Sequence, residues 1–217
     1  MDKSAKARAP NANALRNLFW KRQARLWHWM SGAICLIGML GFAMTGVTLN
    51  HAAAISPQLH VSEQTLTLPD SLVNSLAAQG ETQGSASLPL SVADYLNGAL
   101  NAELKDKPAE WTDFDVYVPL PRPGGDAWLS IDRETGEVVY EVTNRGFVAF
   151  LNDLHKGRNT GAAWSFFIDV FAVATVVFCL TGLWLLFMHA RGRASTWPLV
   201  LAGFSLPGLL VVFMMHF

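Results

Sequence analysis

The stretch "WMSGAICLIGMLGFAMTGVTLN" at residues 29–50 contains no charged side chain across 22 positions. At about 1.5 Å per residue, an α-helix of this length can cross a bilayer core of about 30 Å. Two later runs have the same character: "AAWSFFIDVFAVATVVFCLTGLWLLFM" at 162–188, whose single charge is Asp169, and "WPLVLAGFSLPGLLVVFMMHF" at 197–217, which has none. The sequence therefore predicts a protein embedded in membrane lipid by three transmembrane helices.

The composition and the cysteines exclude several classes of protein. The chain is 51% hydrophobic and 15% charged, which is unusual for one soluble domain. Its net charge of −1 gives no basic face for binding nucleic acid. Cys35 and Cys179 are the only cysteines, and both lie in apolar runs. Without a Cys-x-x-Cys motif, cysteine-ligated zinc, iron–sulfur clusters and covalently attached haem are not expected.

The positive charges predict the direction of the helices. Lysine and arginine contribute seven positive charges to residues 1–25, against Asp2 alone, and the connection before the third helix carries Arg191 and Arg193. The positive-inside rule places these segments in the cytoplasm, and hence the middle segment and the C-terminus in the periplasm of a bacterial inner membrane. The predicted segments are a cytoplasmic N-terminus (1–25), helix one (26–51), a periplasmic domain (52–161), helix two (162–189), a cytoplasmic loop (190–196) and helix three (197–217).

A cleaved signal peptide is the alternative for the first helix, because "AAA" at 52–54 resembles a cleavage site. Signal-peptide apolar cores are usually 7–15 residues long, and this run is longer. We therefore expect a retained helix.

The middle segment has the patterns of a small α+β domain. "SVADYLNGALNAEL" at 91–104 begins with Ser91 and has an acid three residues later, which is a capping-box pattern for a short helix. "DFDVYVPL" at 113–120 alternates, with Phe114, Val116 and Val118 on one side, as a half-buried strand does.

A hairpin and a loop complete this prediction. "AWLSIDRETGEVVYEV" at 127–142 predicts two strands around a turn at residues 134–136, where Gly136 can adopt the positive φ that such a turn needs. "QGETQGSAS" at 79–87 has the composition of an exposed loop.

Several of these segments, in their order along the chain, resemble the PepSY-associated transmembrane family of bacterial membrane proteins. They are "RLWHWMSG" at 25–32, "WLSIDRETGEVVYEV" at 128–142, "FVAFLNDLHKGRNTG" at 147–161 and the following run that contains Thr-Gly. The resemblance implies a PepSY-like domain between the first two helices. Some larger members, with four or more helices, reduce ferric siderophores with b-type haem, and this chain would be a shorter, three-helix version.

Four of the six histidines lie at the ends of the first two predicted helices. His28 and His51 are 23 residues apart, about 34 Å along a helix, so they cannot bind the same ion. The topology instead pairs His28 with His189 on the inner side and His51 with His155 on the outer side. Two such pairs can hold two haem b groups through axial imidazoles. The family resemblance supports His155, which lies in the Leu-His-x-Gly pattern "LHKG".

Each histidine also has a simpler interpretation as an amphipathic residue at the membrane interface. His60 and His216 have no partner at their depth and are expected to be bystanders. Zinc is not expected, because a structural zinc site needs four ligands in one cluster.

The neighbours of these histidines suggest supporting roles, each with an alternative. Gly46 and Gly182 follow Thr45 and Thr181 and could give a haem room for close approach, or simply allow two helices to touch. Gly32, Gly38 and Gly41 extend a small-residue surface along the first helix.

Two charged side chains near the outer surface are further candidates. Asp169 could orient His51 through the ring nitrogen that does not bind iron, pair with Arg158, or cap its helix. Arg158 and Lys156 could neutralise haem propionates or be ordinary interfacial charges.

Haem iron with two histidine ligands has no vacant position and passes single electrons. The sequence thus predicts a di-haem protein that carries electrons outward to a periplasmic acceptor. The resemblance suggests ferric-siderophore reduction, or a periplasmic iron or flavin protein as acceptor. No dinucleotide fingerprint is present, so the donor is expected to be a quinol or another separate molecule.

The alternative function is non-redox, namely a PepSY protein that regulates a protease or serves as a transporter scaffold. Because three helices offer little surface to enclose two haems, a homodimer or a partner membrane subunit is a further expectation. No residue is assigned a catalytic role, and the chain is either a haem-dependent reductase or an electron-transfer subunit.

Overall fold

A computed structural model describes residues 12–56, 58–78 and 84–216. The described residues up to Leu40 and from Phe167 onward form one compact unit, and Gly41–Phe166 form the other. The helices are α1 (Ala12–Asn50), α2 (Asp70–Ala77), α3 (Leu90–Leu100), α4 (Phe147–Lys156), α5 (Gly161–His189) and α6 (Thr196–His216), with one 3-10 turn at Ala190–Gly192. The strands are β1 (His60–Thr67), β2 (Gly84–Ser87), β3 (Pro108–Trp111), β4 (Asp115–Pro119), β5 (Gly125–Asp132) and β6 (Glu137–Asn144).

The three long helices confirm the prediction of three helices with the length and hydropathy of membrane spans. α1 has 39 residues, α5 has 29 and α6 has 21, and each is long and apolar enough to cross a membrane. α1 begins at Ala12, well before the uncharged run, so it also carries four of the basic residues of the N-terminal segment, namely Arg16, Lys21, Arg22 and Arg25.

Small residues of α1 receive aromatic rings of α5. A Cβ atom at Gly32 would lie 3.1 Å from Cε2 of Phe178, and one at Gly38 would overlap the ring of Phe171. Gly41 has no such neighbour, since a Cβ atom there would have nothing within 4 Å. The expected small-residue surface therefore serves helix packing at Gly32 and Gly38 and not at Gly41.

The second unit is built on a six-stranded antiparallel sheet with the order β1-β6-β5-β4-β3-β2. Strands β3, β4 and β5 alternate between buried residues and more exposed ones, as period-two side chains require, whereas the edge strand β1 is exposed along nearly its whole length. The buried face packs against α2 and α3 through fully buried residues such as Leu76, Leu96, Val116 and Leu129. This arrangement confirms the predicted α+β class.

The hairpin of β5 and β6 is as predicted, with Gly136 in its turn at φ 72°. In β4, Val116 and Val118 are fully buried, whereas Phe114 is 81% exposed, so its predicted place on the buried side is wrong. The reason is local: the Thr112 hydroxyl accepts hydrogen bonds from the backbone N–H groups of Phe114 and Asp115, which makes a turn before the strand begins.

Two other local predictions are also wrong. The capping box fails because α3 begins at Leu90 after Pro89, whose carbonyl already accepts bonds from Val92 and Ala93, so Ser91 lies within the first turn. The expected loop at 79–87 ends in β2, because Gly84–Ser87 pair with β3. Residues 79–83 of that loop lie outside the described residues.

α4 is tied to the sheet by the buried carboxylate of Asp153. Its Oδ2 accepts a 2.8 Å hydrogen bond from the N–H of Gly124 and lies 3.4 Å from Nη2 of Arg145. The same Arg145 nitrogen donates to the carbonyl of Gly125 at 3.0 Å. The helix ends at Gly157, which has φ 65°. These contacts fix the helix that carries His155.

Candidate functional site

His28 of α1 is held by two acceptors on α5. Its Nδ1 lies 3.1 Å from the carbonyl oxygen of Phe178 and 3.2 Å from the hydroxyl of Thr181. The imidazole also stacks on the Phe178 ring, with the centroids 4.4 Å apart and the planes 13° apart. A Cβ atom at Gly182 would lie 3.1 Å from Cε1 of His28. Gly182 therefore makes room for the imidazole itself.

His28 and His189 line the same cavity, which has a volume of about 660 Å³. His189 is exposed at the end of α5, and its Nδ1 lies 2.8 Å from the carbonyl of Leu185, one turn earlier. Arg193 and Thr196 also line this cavity, so a guanidinium group and a hydroxyl accompany the two imidazoles. The structure thus brings together the predicted inner pair of histidines.

His155 of α4 is held by α1 in a similar way. Its Nδ1 lies 2.6 Å from the hydroxyl oxygen of Thr45, and its ring lies 4.8 Å from that of Phe42, centroid to centroid. A Cβ atom at Gly46 would lie 3.9 Å from Cε1 of His155, which is an ordinary contact distance. The half-buried ring of His155 is therefore fixed by a second Thr-Gly pair.

His51 follows the last residue of α1 and is exposed. Its Nδ1 lies 3.0 Å from the carbonyl of Val47, so it is held within its own helix turn. The contacts found among the described residues do not join His51 to His155. A cavity of about 360 Å³ in the same unit is lined by residues such as Ser56, Arg145 and Asn152, and by neither histidine.

The hydrogen-bond partners favour one tautomer for all four imidazoles. A carbonyl oxygen only accepts, so Nδ1 of His28, His51 and His189 is the protonated nitrogen. The hydroxyl of Thr45 is 2.9 Å from the carbonyl of Gly41 and donates to it, so it accepts from Nδ1–H of His155. In each neutral ring Nε2 then keeps its lone pair, which is the arrangement typical of a metal-bound histidine.

The remaining predicted site residues lie apart from these contacts. Asp169 is exposed on α5. Arg158 is exposed after α4, where its backbone N–H donates to the carbonyl of Asp153 at 2.9 Å. His60 begins the edge strand β1, and Nδ1 of His216 lies 2.8 Å from the carbonyl of Val212 in α6.

Sequence reasoning noticed the Thr-Gly pairs but missed the role of their threonines, and it used Arg193 only to orient the chain. The signal for Thr45 and Thr181 was their position directly before the glycines. Nothing in the sequence paired them with residues more than a hundred positions away. Within the described residues, no group of three or more His, Cys, Asp or Glu side chains could hold a metal ion.

The comparison with known proteins places the chain in a wider group. A family model with the description "Putative PepSY_TM-like" matches residues 19–216, which includes both units. Neither the curated proteins nor the solved structures contain a match.

Proposed function

The chain belongs to the PepSY_TM-like family, and from that premise we propose that it is a membrane electron-transfer protein that binds two b-type haems. His28 and His189 would hold the iron of one haem, and His51 and His155 would hold that of the other. Electrons pass outward through the bacterial inner membrane to a periplasmic acceptor, and ferric-siderophore reduction is the form that the family resemblance favours.

The observation that carries this proposal is the setting of His28. α5 holds its Nδ1 through Phe178 and Thr181, and its ring borders the cavity that His189 also borders. A histidine that donates through one ring nitrogen presents the other to a metal in a fixed orientation. An interfacial anchor needs no such restraint.

The cavity suits a large planar group with acidic substituents. Its volume of about 660 Å³ lies in the range of roughly 300–1,000 Å³ that is typical of ligand pockets. Leu185 and Leu186 supply apolar lining, while Arg193 supplies the cation that pairs with a carboxylate, as haem propionates require. At this site Arg193 has the role of propionate partner, which the sequence analysis gave to Arg158 at the outer site.

The second site rests on fewer contacts. His155 is oriented by Thr45 as His28 is by Thr181, and Gly46 leaves space beside its ring. His51 adds an imidazole whose Nδ1 is engaged by Val47. In this part of the proposal, Asp169 is a partner of an outer histidine ligand. Arg158 is a partner of a haem propionate.

Held by these residues, haem would supply one-electron transfer. The protein's own contribution is to fix the imidazoles, to keep Nδ1 protonated and to surround the cavity with apolar helices. The basic N-terminus and Arg193 favour the cytoplasmic side for the His28 site. A quinol is the proposed donor, and a homodimer or partner subunit would add cover to the haems.

The test is the visible spectrum of the full chain purified from haem-replete cells, before and after dithionite. We expect a shifted Soret band, sharp α and β bands, and about two haems per chain. A colourless protein would overturn the proposal and favour a regulatory or scaffold role.

Variants then assign the ligands. His189→Ala and His51→Ala are each expected to remove about one haem per chain, whereas His60→Ala and His216→Ala, as matched controls, retain both. If His189→Ala and His51→Ala keep full haem content, the pairing is wrong even though haem is bound.

A further inference from the structure

A second and larger cavity lies between α1 and α5, and it is lined by Thr181, whose hydroxyl also contacts His28. Its volume is about 820 Å³, and it is lined by residues 17–27 of α1 and 180–188 of α5. Trp20, Trp27 and Trp184 give it aromatic walls, and Lys21 and Gln23 add polar groups near the N-terminal end of α1. The proposed haem sites do not use any of these side chains except Thr181.

The lining indicates a flat, uncharged ligand with oxygen atoms on its ring. Indole rings stack on planar rings in offset or edge-to-face arrangements. The ammonium group of Lys21 and the amide of Gln23 are hydrogen-bond donors suited to ring carbonyl oxygens. Among the described residues that line the cavity, Lys21 is the only cation, which is poor provision for the phosphates of a nucleotide.

The surroundings of the cavity indicate a ligand that arrives through lipid. The cavity is formed by two helices of membrane-spanning length, and side chains near it that lie within the predicted spans, such as Leu26 and Leu183, are exposed apolar groups. An apolar tail attached to the ring can therefore remain in the membrane while the ring enters the cavity. Lipid-soluble quinones combine these properties.

We propose that this cavity binds the ring of a lipid-soluble quinone or quinol. The assignment of this cavity to the electron donor rests on the proposed function. Oxidation of a quinol to its quinone breaks two O–H bonds. The two electrons would go one each to two one-electron acceptors, such as the two ferric haems proposed above, and the two protons would go to water. Thr181 is shared by the proposed haem site and this cavity, because its hydroxyl contacts Nδ1 of His28 and the residue also lines the cavity.

The experiment uses the full chain in lipid nanodiscs and a photoreactive azidoquinone with a short tail, and labelled peptides are identified by mass spectrometry. We expect saturable labelling within residues 17–27 and 180–188 that unlabelled ubiquinone analogue competes away. Labelling that does not saturate, that maps elsewhere, or that added phospholipid suppresses equally well would overturn the inference, the last by identifying a lipid site.

Matched tryptophan variants sharpen the test. Trp27→Leu is expected to weaken the quinone affinity roughly three- to tenfold, as the loss of one aromatic contact predicts. Trp29→Leu should leave the affinity unchanged, because Trp29 is on the same helix, 71% exposed, and does not line the cavity. Equal affinities in the two variants would also contradict the proposal.

Failure of this inference can be distinguished from failure of the proposed function. Labelling is also measured in His189→Ala, which lacks one proposed haem ligand but retains every residue of this cavity, and we expect it to persist there. A red protein that binds no quinone rejects the donor site alone. A colourless protein that still binds quinone rejects haem binding and leaves this site in place.

Discussion

Nδ1 of His155 lies 2.6 Å from the hydroxyl oxygen of Thr45, although 110 residues separate them in the chain. His28 has the same relationship to Thr181, at 3.2 Å and 153 residues. In both cases the next residue is a glycine whose missing side chain faces Cε1 of that histidine. Each Thr-Gly pair therefore holds a histidine of another helix in the same way: the threonine hydroxyl contacts Nδ1, and the glycine leaves room for the ring.

Replacement of Thr45 by valine tests this relationship. The variant keeps the shape of the side chain but removes the acceptor for Nδ1–H of His155, for which the described part of the chain shows no other hydrogen bond. We expect the affinity for the haem at His155 to fall by about 10- to 100-fold, as for other residues that orient a metal ligand. Haem titration of the apoprotein measures the affinity.

Thr181→Val is the matched comparison, and it should have the smaller effect. Nδ1 of His28 retains the carbonyl of Phe178 at 3.1 Å when the hydroxyl is lost. The ¹⁵N chemical shifts of the two imidazoles provide a readout without haem: His155 should become a mixture of tautomers in Thr45→Val, whereas His28 should keep Nδ1–H in Thr181→Val. Unchanged shifts of His155 would contradict the proposed role of Thr45.

The two glycines predict opposite outcomes for the same substitution. In Gly182→Ala the new Cβ atom would lie 3.1 Å from Cε1 of His28, so the imidazole must shift. In Gly46→Ala the corresponding distance to His155 is 3.9 Å, and no shift is needed. We expect Gly182→Ala to lose about one haem per chain and Gly46→Ala to retain both, as measured by the pyridine haemochrome assay. Equal haem loss in both variants would show that the glycines give clearance to the haem and not to the histidines.

The long helices could be predicted from sequence because an uncharged run of 22 residues has few stable alternatives to a membrane-spanning helix. The hairpin was predictable for a similar reason, since alternation and a glycine at the turn are both local signals. The partners of the histidines were not, because hydrogen bonds such as His155 to Thr45 depend on how distant helices meet. His51 shows the same limit: the nearby carbonyl of Val47 satisfies its Nδ1 within the helix.

Local sequence patterns also gave wrong predictions where a neighbouring residue had a stronger effect on the backbone. Ser91 has the sequence context of a helix cap, but Pro89 has its φ fixed at −53° and its carbonyl starts α3 earlier. Phe114 fits the alternation of β4, but the hydroxyl of Thr112 turns the backbone before the strand begins. In the sequence, Arg193 indicated only the direction of the helices. Its place beside His28 and His189 depends on the packing of α1 and α5.

Asp153 is expected to stabilise the sheet-containing unit and the position of His155. The residue is 7% exposed, and its carboxylate accepts a hydrogen bond from Gly124 while it pairs with Arg145. Asp153→Ala leaves the buried N–H of Gly124 without this acceptor, at a cost of roughly 1–3 kcal/mol. Thermal unfolding followed by circular dichroism should show a lower midpoint for Asp153→Ala than for Lys156→Ala, an exposed control on the same helix. Equal midpoints would mean that α4 is held in place by its apolar contacts alone.

Asp132 predicts a dependence of stability on pH. The backbone N–H and the hydroxyl of Thr135, followed by the N–H of Glu134, donate to its carboxylate and lower its pKa from the ordinary value of 3.8. Since these bonds favour the charged form in the folded state, their contribution is present above the unfolded pKa and is lost as the pH falls through the folded one. We expect Asp132→Asn to lower the unfolding midpoint at pH 7, with the difference from the wild type shrinking below about pH 4. Asp94→Asn, at an exposed position on α3, is the matched control. A difference between Asp132→Asn and the wild type that stays constant from pH 7 to pH 2 would mean that the turn does not depend on the charge of Asp132.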